Sequence, residues 1–198
     1  LHSARIILLS VDFQEIETLQ HQGDWKALGR ILAREARVLE EAGSDFLVLC
    51  TNTMHLVAPA IEAALSIPLL HIADATARRI RETGLGKVGL LGTRFTMEEP
   101  FYRGRLQDRH GLEVLTPADE DRETVHRIIY QELVLGRILP ESREAYRGVV
   151  KRLQAEGAEG VILGCTEIGL LLKPEDTDLP LFDTARIHAE VAADHALA

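Results

Sequence analysis

The chain has 198 residues, enough for one large domain or two small ones with a real buried core. Acidic residues outnumber basic ones 31 to 22 and no basic cluster stands out, which argues against nucleic acid and anionic membrane as partners. The apolar runs are short and punctuated, far below the roughly 20 residues of a membrane span. No signal peptide or lipidation motif is visible, and there are only two cysteines, so the expected setting is cytoplasmic with free thiols.

In chain order, "RIILLS" (5–10) reads as a strand and "DWKALGRILAREARVLEEAG" (24–43) as a helix stopped at Gly43. "DFLVLC" (45–50) is a second strand, and "IPLLHI" (67–72) a weaker third. A helix follows over 74–84, with Asp74 as N-cap and Gly84 as stop. "KVGLLG" (87–92) is a strand, 96–111 a helix, "LEVLTP" (112–117) a weaker strand, and the acidic 118–123 a solvated loop or helix start. A helix over 143–157 leads into the strand "GVILGC" (160–165), and "LPLFDT" (179–184) is a last weak strand. The apolar runs lack period-2 alternation, as strands buried on both faces do. Strands alternating with helices predict an α/β fold with parallel sheets.

The chain repeats itself. "EEAGSDFLVLCTN" (40–52) and "QAEGAEGVILGCTE" (154–167) share a helix end, a glycine, an acidic residue, an apolar strand and Cys-Thr. "IPLLHIADATARRI" (67–80) likewise parallels "LPLFDTARIHAEV" (179–191). The Cys-Thr match places Cys50 and Cys165 at equivalent points of two related halves. The second half has a strand and helix ahead of 112–117 that find no counterpart ahead of 4–10. With a chain that starts at Leu1 rather than Met, this leads us to expect an opening segment of a few dozen residues upstream; a truly shortened protein is the alternative.

Ligands of open α/β sheets bind beyond the carboxyl ends of the strands, where both cysteines lie. Each is followed by a turn whose N–H groups favour a thiolate, while Thr51, Asn52, Thr53 and Thr166 offer donors suited to a carboxylate. If the halves face each other, two opposed thiols can remove a proton from one face of a stereocentre and return one to the other. No lysine stands out as a pyridoxal phosphate anchor and "GLGKVGLLG" matches no phosphate or dinucleotide loop, so a cofactor-free reaction is favoured.

"CTNTMH" (50–55) and "GCTEIGLL" (164–171), with "IPLLHIADAT" (67–76) and "FDTARIHA" (182–189), resemble the aspartate/glutamate racemase family over essentially the whole chain. "SVDF" (10–13), "LLGTRFTME" (90–98) and "FYRGRL" (101–106) resemble its L-aspartate/glutamate-specific and broad-specificity amino-acid branch. The resemblance implies two pseudosymmetric α/β domains, each a small mostly parallel sheet flanked by helices, with the active site between them and a homodimer as the assembly. It implies residues 1–84, completed by a C-terminal helix 185–198, as the first domain and 85–184 as the second. It also implies a pyridoxal-independent amino-acid racemase with Cys50 and Cys165 as the two acid/base residues and no metal. Thr51, Asn52, Thr53, Thr166 and Glu167 are its substrate-binding candidates.

Two departures bear on substrate. The opening strand and "GGM"-type turn of the family are not in this sequence. An arginine and a lysine that some aspartate racemases use for the side-chain carboxylate are replaced near Glu17 (or Ile16) and by Val134, which favours a broader or different amino-acid range. The bland readings are a buried structural cysteine at either position, helix caps for Asn52, Thr53, Asp74 and Asp183, and packing for His55, His71 and His188. Glu167 serves a helix start or orients Cys165 or substrate. The alternative functions are amino-acid binding without turnover, or a related activity such as hydantoin racemase or maleate isomerase.

Overall fold

A computed structural model describes residues 2–198. Residue contacts divide the chain into two units. One comprises residues up to Leu49, Met54–His71 and Ala192–Ala198; the other comprises Cys50–Thr53 and Ile72–Val191. Residue 1 of the expected first domain lies outside the described residues.

In the first unit, α1 (Phe13–Gln22) and α2 (Trp25–Glu41) are each opened by an aspartate whose carboxylate accepts a backbone N–H: Asp12 from Gln14 and Asp24 from Ala27. These caps satisfy amides that have no partner inside the helix. β1 (Leu47–Val48) pairs in parallel with β2 (Leu69–Leu70), and α3 (Ala58–Glu62) lies between them in sequence. Ile16, Leu28, Leu32, Ala36, Leu47, Met54, Val57 and Ile61 form the core of this unit. The strand expected at 5–10 does not form. β1 and β2 pair only with each other, so this stretch has no ladder, and Ile6 and Leu8 are each 82% exposed.

The second unit is a four-stranded parallel sheet of order β4–β3–β5–β6, with β3 at Lys87–Gly92, β4 at Glu113–Leu115, β5 at Gly160–Gly164 and β6 at Leu181–Asp183. Helices α4 (Ile72–Glu82), α5 (Arg94–Glu98), α6 (Pro100–His110), α7 (Asp119–Gln131), α8 (Pro140–Ala155) and α9 (Ile168–Leu171) surround it, followed by α10 (Thr184–Leu197). One core cluster contains Tyr146, Val149, Leu153 and Leu163; the other contains Ile80, Leu90, Tyr102 and Leu106. β5 is buried along its whole length, as its unbroken apolar run predicts.

Three boundaries differ from the sequence reading. The helix expected over 96–111 is two helices, because Glu99 precedes Pro100 and takes an extended conformation (ψ 143°) that ends α5. α4 starts at Ile72, so Asp74 lies inside it and not at its cap. Its carboxylate instead receives Arg105 Nε and Nη2 at 2.7 and 2.6 Å and contacts His110 Nε2 at 2.9 Å, tying α4 to α6. That packing groups α4 with the second unit, whose contacts resume at Ile72. Of α10, only the stretch from Ala192 belongs with the first unit, where the His195 ring meets Phe46 edge-on at 4.7 Å.

β3 and β5 approach most closely at glycines. A methyl group on Gly164 would fall 2.8 Å from the Leu91 carbonyl oxygen and 3.0 Å from Leu90 Cδ1. The Gly164→Ala protein is expected to lose about 1–3 kcal/mol of stability in urea denaturation; an unchanged midpoint would show that the strands part without cost.

Candidate active site

The segment 50–53 clusters with the second unit because its side chains bond there. Asn52 Nδ2 donates to Thr184 Oγ1 at 2.9 Å, and Thr184 Oγ1 donates to the Leu163 carbonyl at 2.8 Å. The directions are determined. A carbonyl only accepts, so the Thr184 hydrogen goes to Leu163, and the group facing its lone pair must be the Asn52 amide nitrogen. This relay links the residue two past Cys50 to the residue two before Cys165. Asn52 is only 3% exposed, and its Oδ1 accepts no hydrogen bond from the described residues.

Thr53 joins a second cluster. Its Oγ1 lies 3.0 Å from Thr93 Oγ1 and 3.3 Å from Thr96 Oγ1, and the last two are 3.2 Å apart. Thr93 caps α5 by accepting Thr96 N–H at 3.3 Å. All three hydroxyls are buried. Thr93, Thr96 and Thr184 were not singled out from the sequence. The available signals were the helix-start pattern T-x-x-T after β3 and a threonine directly after β6.

Neither cysteine is in a disulfide; Cys50 is exposed and Cys165 partly buried. Desolvation raises the Cys50 thiol above its ordinary pKa. Cys165 is raised well above, first by burial and then by the Glu167 carboxylate beside it. Cys165 Sγ donates to Glu167 Oε2 at 2.9 Å, and Thr166 Oγ1 donates to the same oxygen at 2.8 Å. The structure thus joins Cys165, Thr166 and Glu167 into one group, and Asn52 and Thr53 into the clusters around Thr184 and Thr93.

The strand geometry corrects one expectation. The two repeats superpose in sequence without a gap from their helix-ending glycines, Gly43 (φ 91°) and Gly157 (φ 98°). Leu47 N–H donates to the Pro68 carbonyl and Val161 N–H to the Pro180 carbonyl, each at 2.9 Å. Leu47 pairs with Leu69 as Val161 pairs with Leu181. Counting onward from Leu47 and Val161, Thr51 is the residue equivalent to Cys165, and Cys50 is equivalent to Gly164. The match between Cys50 and Cys165 needs a one-residue gap in this alignment. Thr51 and Cys165 are also both of intermediate burial, whereas Cys50 is exposed and Gly164 buried.

Of the remaining candidates, Asp183 acts as a cap, its Oδ1 accepting Ala185 and Arg186 N–H at 3.1 and 3.2 Å. His55 and His71 are buried in the first unit with ring centroids 4.3 Å apart, and His188 is buried in α10. Among the described residues, no group of His, Cys, Asp or Glu is arranged to hold a metal ion, and no helix is long and apolar enough to cross a membrane.

Thr184→Val keeps the shape and removes the hydroxyl, stranding Leu163 O and Asn52 Nδ2. The expected cost is about 1–3 kcal/mol in thermal or urea unfolding, and a neutral substitution would mean that the relay does not hold segment 50–53 in place.

A family profile described as Asp/Glu/Hydantoin racemase matches residues 1–192. A crystal structure of a putative Asp/Glu racemase from Yersinia pestis is 59% identical with a TM-score of 0.93, covering 100% of this chain and 86% of that one. An aspartate racemase homologue from Pyrococcus horikoshii OT3 is 37% identical with a TM-score of 0.83, covering 97% of this chain and 83% of that one. The broad specificity amino-acid racemase RacX of Bacillus subtilis (strain 168) is 26% identical over 160 residues, 81% of this chain and 68% of that protein. With a profile match spanning nearly its whole length, the chain belongs to the Asp/Glu/hydantoin racemase family of isomerases.

Proposed function

We propose that this chain racemises free amino acids without a cofactor, with Cys165 as one of two proton-transfer groups and the adjacent pair Cys50–Thr51 supplying the other. The observation that carries this reading is the bonded frame around segment 50–53 and the end of β5. It gives a buried Asn52 Oδ1 with acceptor capacity beside Thr51, and the Asn52–Thr184–Leu163 relay ties that position to β5, the strand that ends just before Cys165. Asn52 Oδ1 is suited to a substrate ammonium and the Thr51 hydroxyl to a substrate carboxylate, whereas Thr166 gives its hydroxyl hydrogen to Glu167 and Thr53 is engaged with Thr93 and Thr96.

The reaction is proton abstraction at Cα followed by reprotonation on the opposite face. The C–H bond breaks to a group on one side, its electron pair stays on the substrate, and a new C–H bond forms from the group on the other. Cα is a very weak acid, so fixed donors must stabilise the charge that develops on the carboxylate. Of the two groups paired with Cys165, Cys50 was expected from the Cys-Thr repeat, whereas the gap-free alignment anchored on the β1–β2 and β5–β6 pairings favours Thr51.

Substrate range is broad in this reading. Glu17 is an α1 residue whose Oε1 lies 3.3 Å from His21 Nε2, and Val134 packs against a core cluster. Neither position supplies a cation for a side-chain carboxylate. The name of the Bacillus subtilis relative supports the same inference. Hydantoins belong in the substrate panel because the family description includes their racemases.

Single-enantiomer aspartate, glutamate and neutral amino acids in deuterated water should gain deuterium at Cα as optical activity decays, with no added cofactor. Cys165→Ala should lower the rate by about 10²-fold or more. A comparable loss in Thr51→Ala but not Cys50→Ala would assign the second group to the hydroxyl, and the reverse would assign it to the thiol. Full activity in all three variants, or substrate binding without exchange, would sink the racemase mechanism.

A further inference from the structure

Glu167 was a substrate-binding candidate, but its carboxylate is already committed elsewhere. One oxygen, Oε2, takes both the Cys165 thiol hydrogen at 2.9 Å and the Thr166 hydroxyl hydrogen at 2.8 Å. A thiol that donates to a carboxylate must carry its proton, and the second donor holds the carboxylate where it can receive it. We propose that Glu167 is a positioning residue that keeps Cys165 in the thiol form in the substrate-free protein, so that Cys165 enters turnover as the proton donor. This rests on the racemase reading above for its catalytic meaning, though not for the coupling itself.

The step balances. The S–H bond of Cys165 breaks, a C–H bond forms on the face of the substrate carbanion nearest it, and a thiolate remains. The proton taken from the opposite face goes to the group there, which starts deprotonated: the Cys50 thiolate itself, or Thr51 with its hydroxyl hydrogen passed to that thiolate. Glu167 exchanges no atoms; it sets which member of the pair starts protonated. It also makes the resulting thiolate more basic, because two negative charges then adjoin each other, and a more basic thiolate is better matched to a weakly acidic Cα when the mirror-image substrate is processed.

Other polar groups on the neighbouring elements have different partners. Tyr146, on α8, lies close enough for its ionisation to be opposed by Cys165 and by Glu132, but its hydroxyl donates to Val125 O at 3.1 Å. Asp183, on β6, caps α10 through Oδ1 and presents Oδ2 to Gly169, where a methyl would fall 2.6 Å away. Lys173 Nζ donates to Gly169 O at 2.7 Å, and Arg143 Nε to Leu171 O at 2.8 Å. Glu167 is the carboxylate that contacts the sulfur.

The test is the pH dependence of alkylation by iodoacetamide on the full chain without substrate, read by peptide mass spectrometry so that Cys50 and Cys165 report separately. In the wild type, the Cys165 midpoint should lie above the ordinary thiol value of about 8.5. Glu167→Gln should lower it by about one pH unit or more while leaving the Cys50 profile in place. Glu167→Asp, which shortens the side chain and keeps the charge, should produce a smaller shift and serves if the glutamine variant misfolds. A Cys165 midpoint that is unmoved or raised in both variants overturns the proposal, as does a wild-type midpoint below the ordinary thiol range. In active protein, the pH profile of deuterium exchange should move with the alkylation midpoint in Glu167→Gln, and an unchanged profile overturns the catalytic role. A wild type that catalyses no exchange sinks the racemase reading but not the coupling, so the two failures are distinguishable.

Discussion

The site depends on the single hydroxyl of Thr184. It sits where β6 becomes α10, gives its hydrogen to the Leu163 carbonyl, and takes one from the Asn52 amide. Leu163 lies in β5, flanked by Leu91 of β3 on one side and Asp183 of β6 on the other, so its carbonyl is as fixed as the sheet. Through two bonds, a loop with no regular structure from Leu49 to Asn52 acquires the rigidity of a buried strand. A buried polar chain of this kind is favourable only when every direction is consistent. Here it is consistent at each joint but the last, Asn52 Oδ1, which is left to accept from something outside the described residues.

The same logic explains the burial of so many hydroxyls. Thr53, Thr93 and Thr96 are buried together, and each would be costly alone. Together they satisfy one another, and one of them also caps α5. Glycines make the close approach possible. β3 and β5 end at Gly92 and Gly164, each within about 3 Å of the other strand's backbone if given a methyl, so the helix starts that follow can converge.

Much of this was legible in the sequence, for reasons that can be named. β3 and β5 are continuous apolar runs because both their faces are covered, and the sequence reading located them within a residue. α2 was legible from its apolar spacing and its glycine stop. α1 was missed because FQEIETLQHQ buries only Ile16 and Gln20, although Asp12 is a usable capping signal. Asp74 was misjudged because α4 opens two residues earlier, at Ile72, and the aspartate's partners Arg105 and His110 are distant in sequence. The site was legible as two Cys-Thr strings but not in its phase. Two letters cannot distinguish a match from a one-residue slip, whereas a glycine with positive φ and a fixed N–H to proline carbonyl bond can. The Glu167–Cys165 bond was within reach of the spacing alone, but its direction, sulfur to carboxylate, needed coordinates.

The triangle of threonine hydroxyls carries a last implication. Each oxygen can give or receive, so the hydrogens can circulate clockwise or anticlockwise while every heavy atom stays still. In either sense all three hydrogens stay inside the ring, so reversing it leaves the outward face unchanged: no hydrogen is released, and what remains for the surroundings is lone pairs.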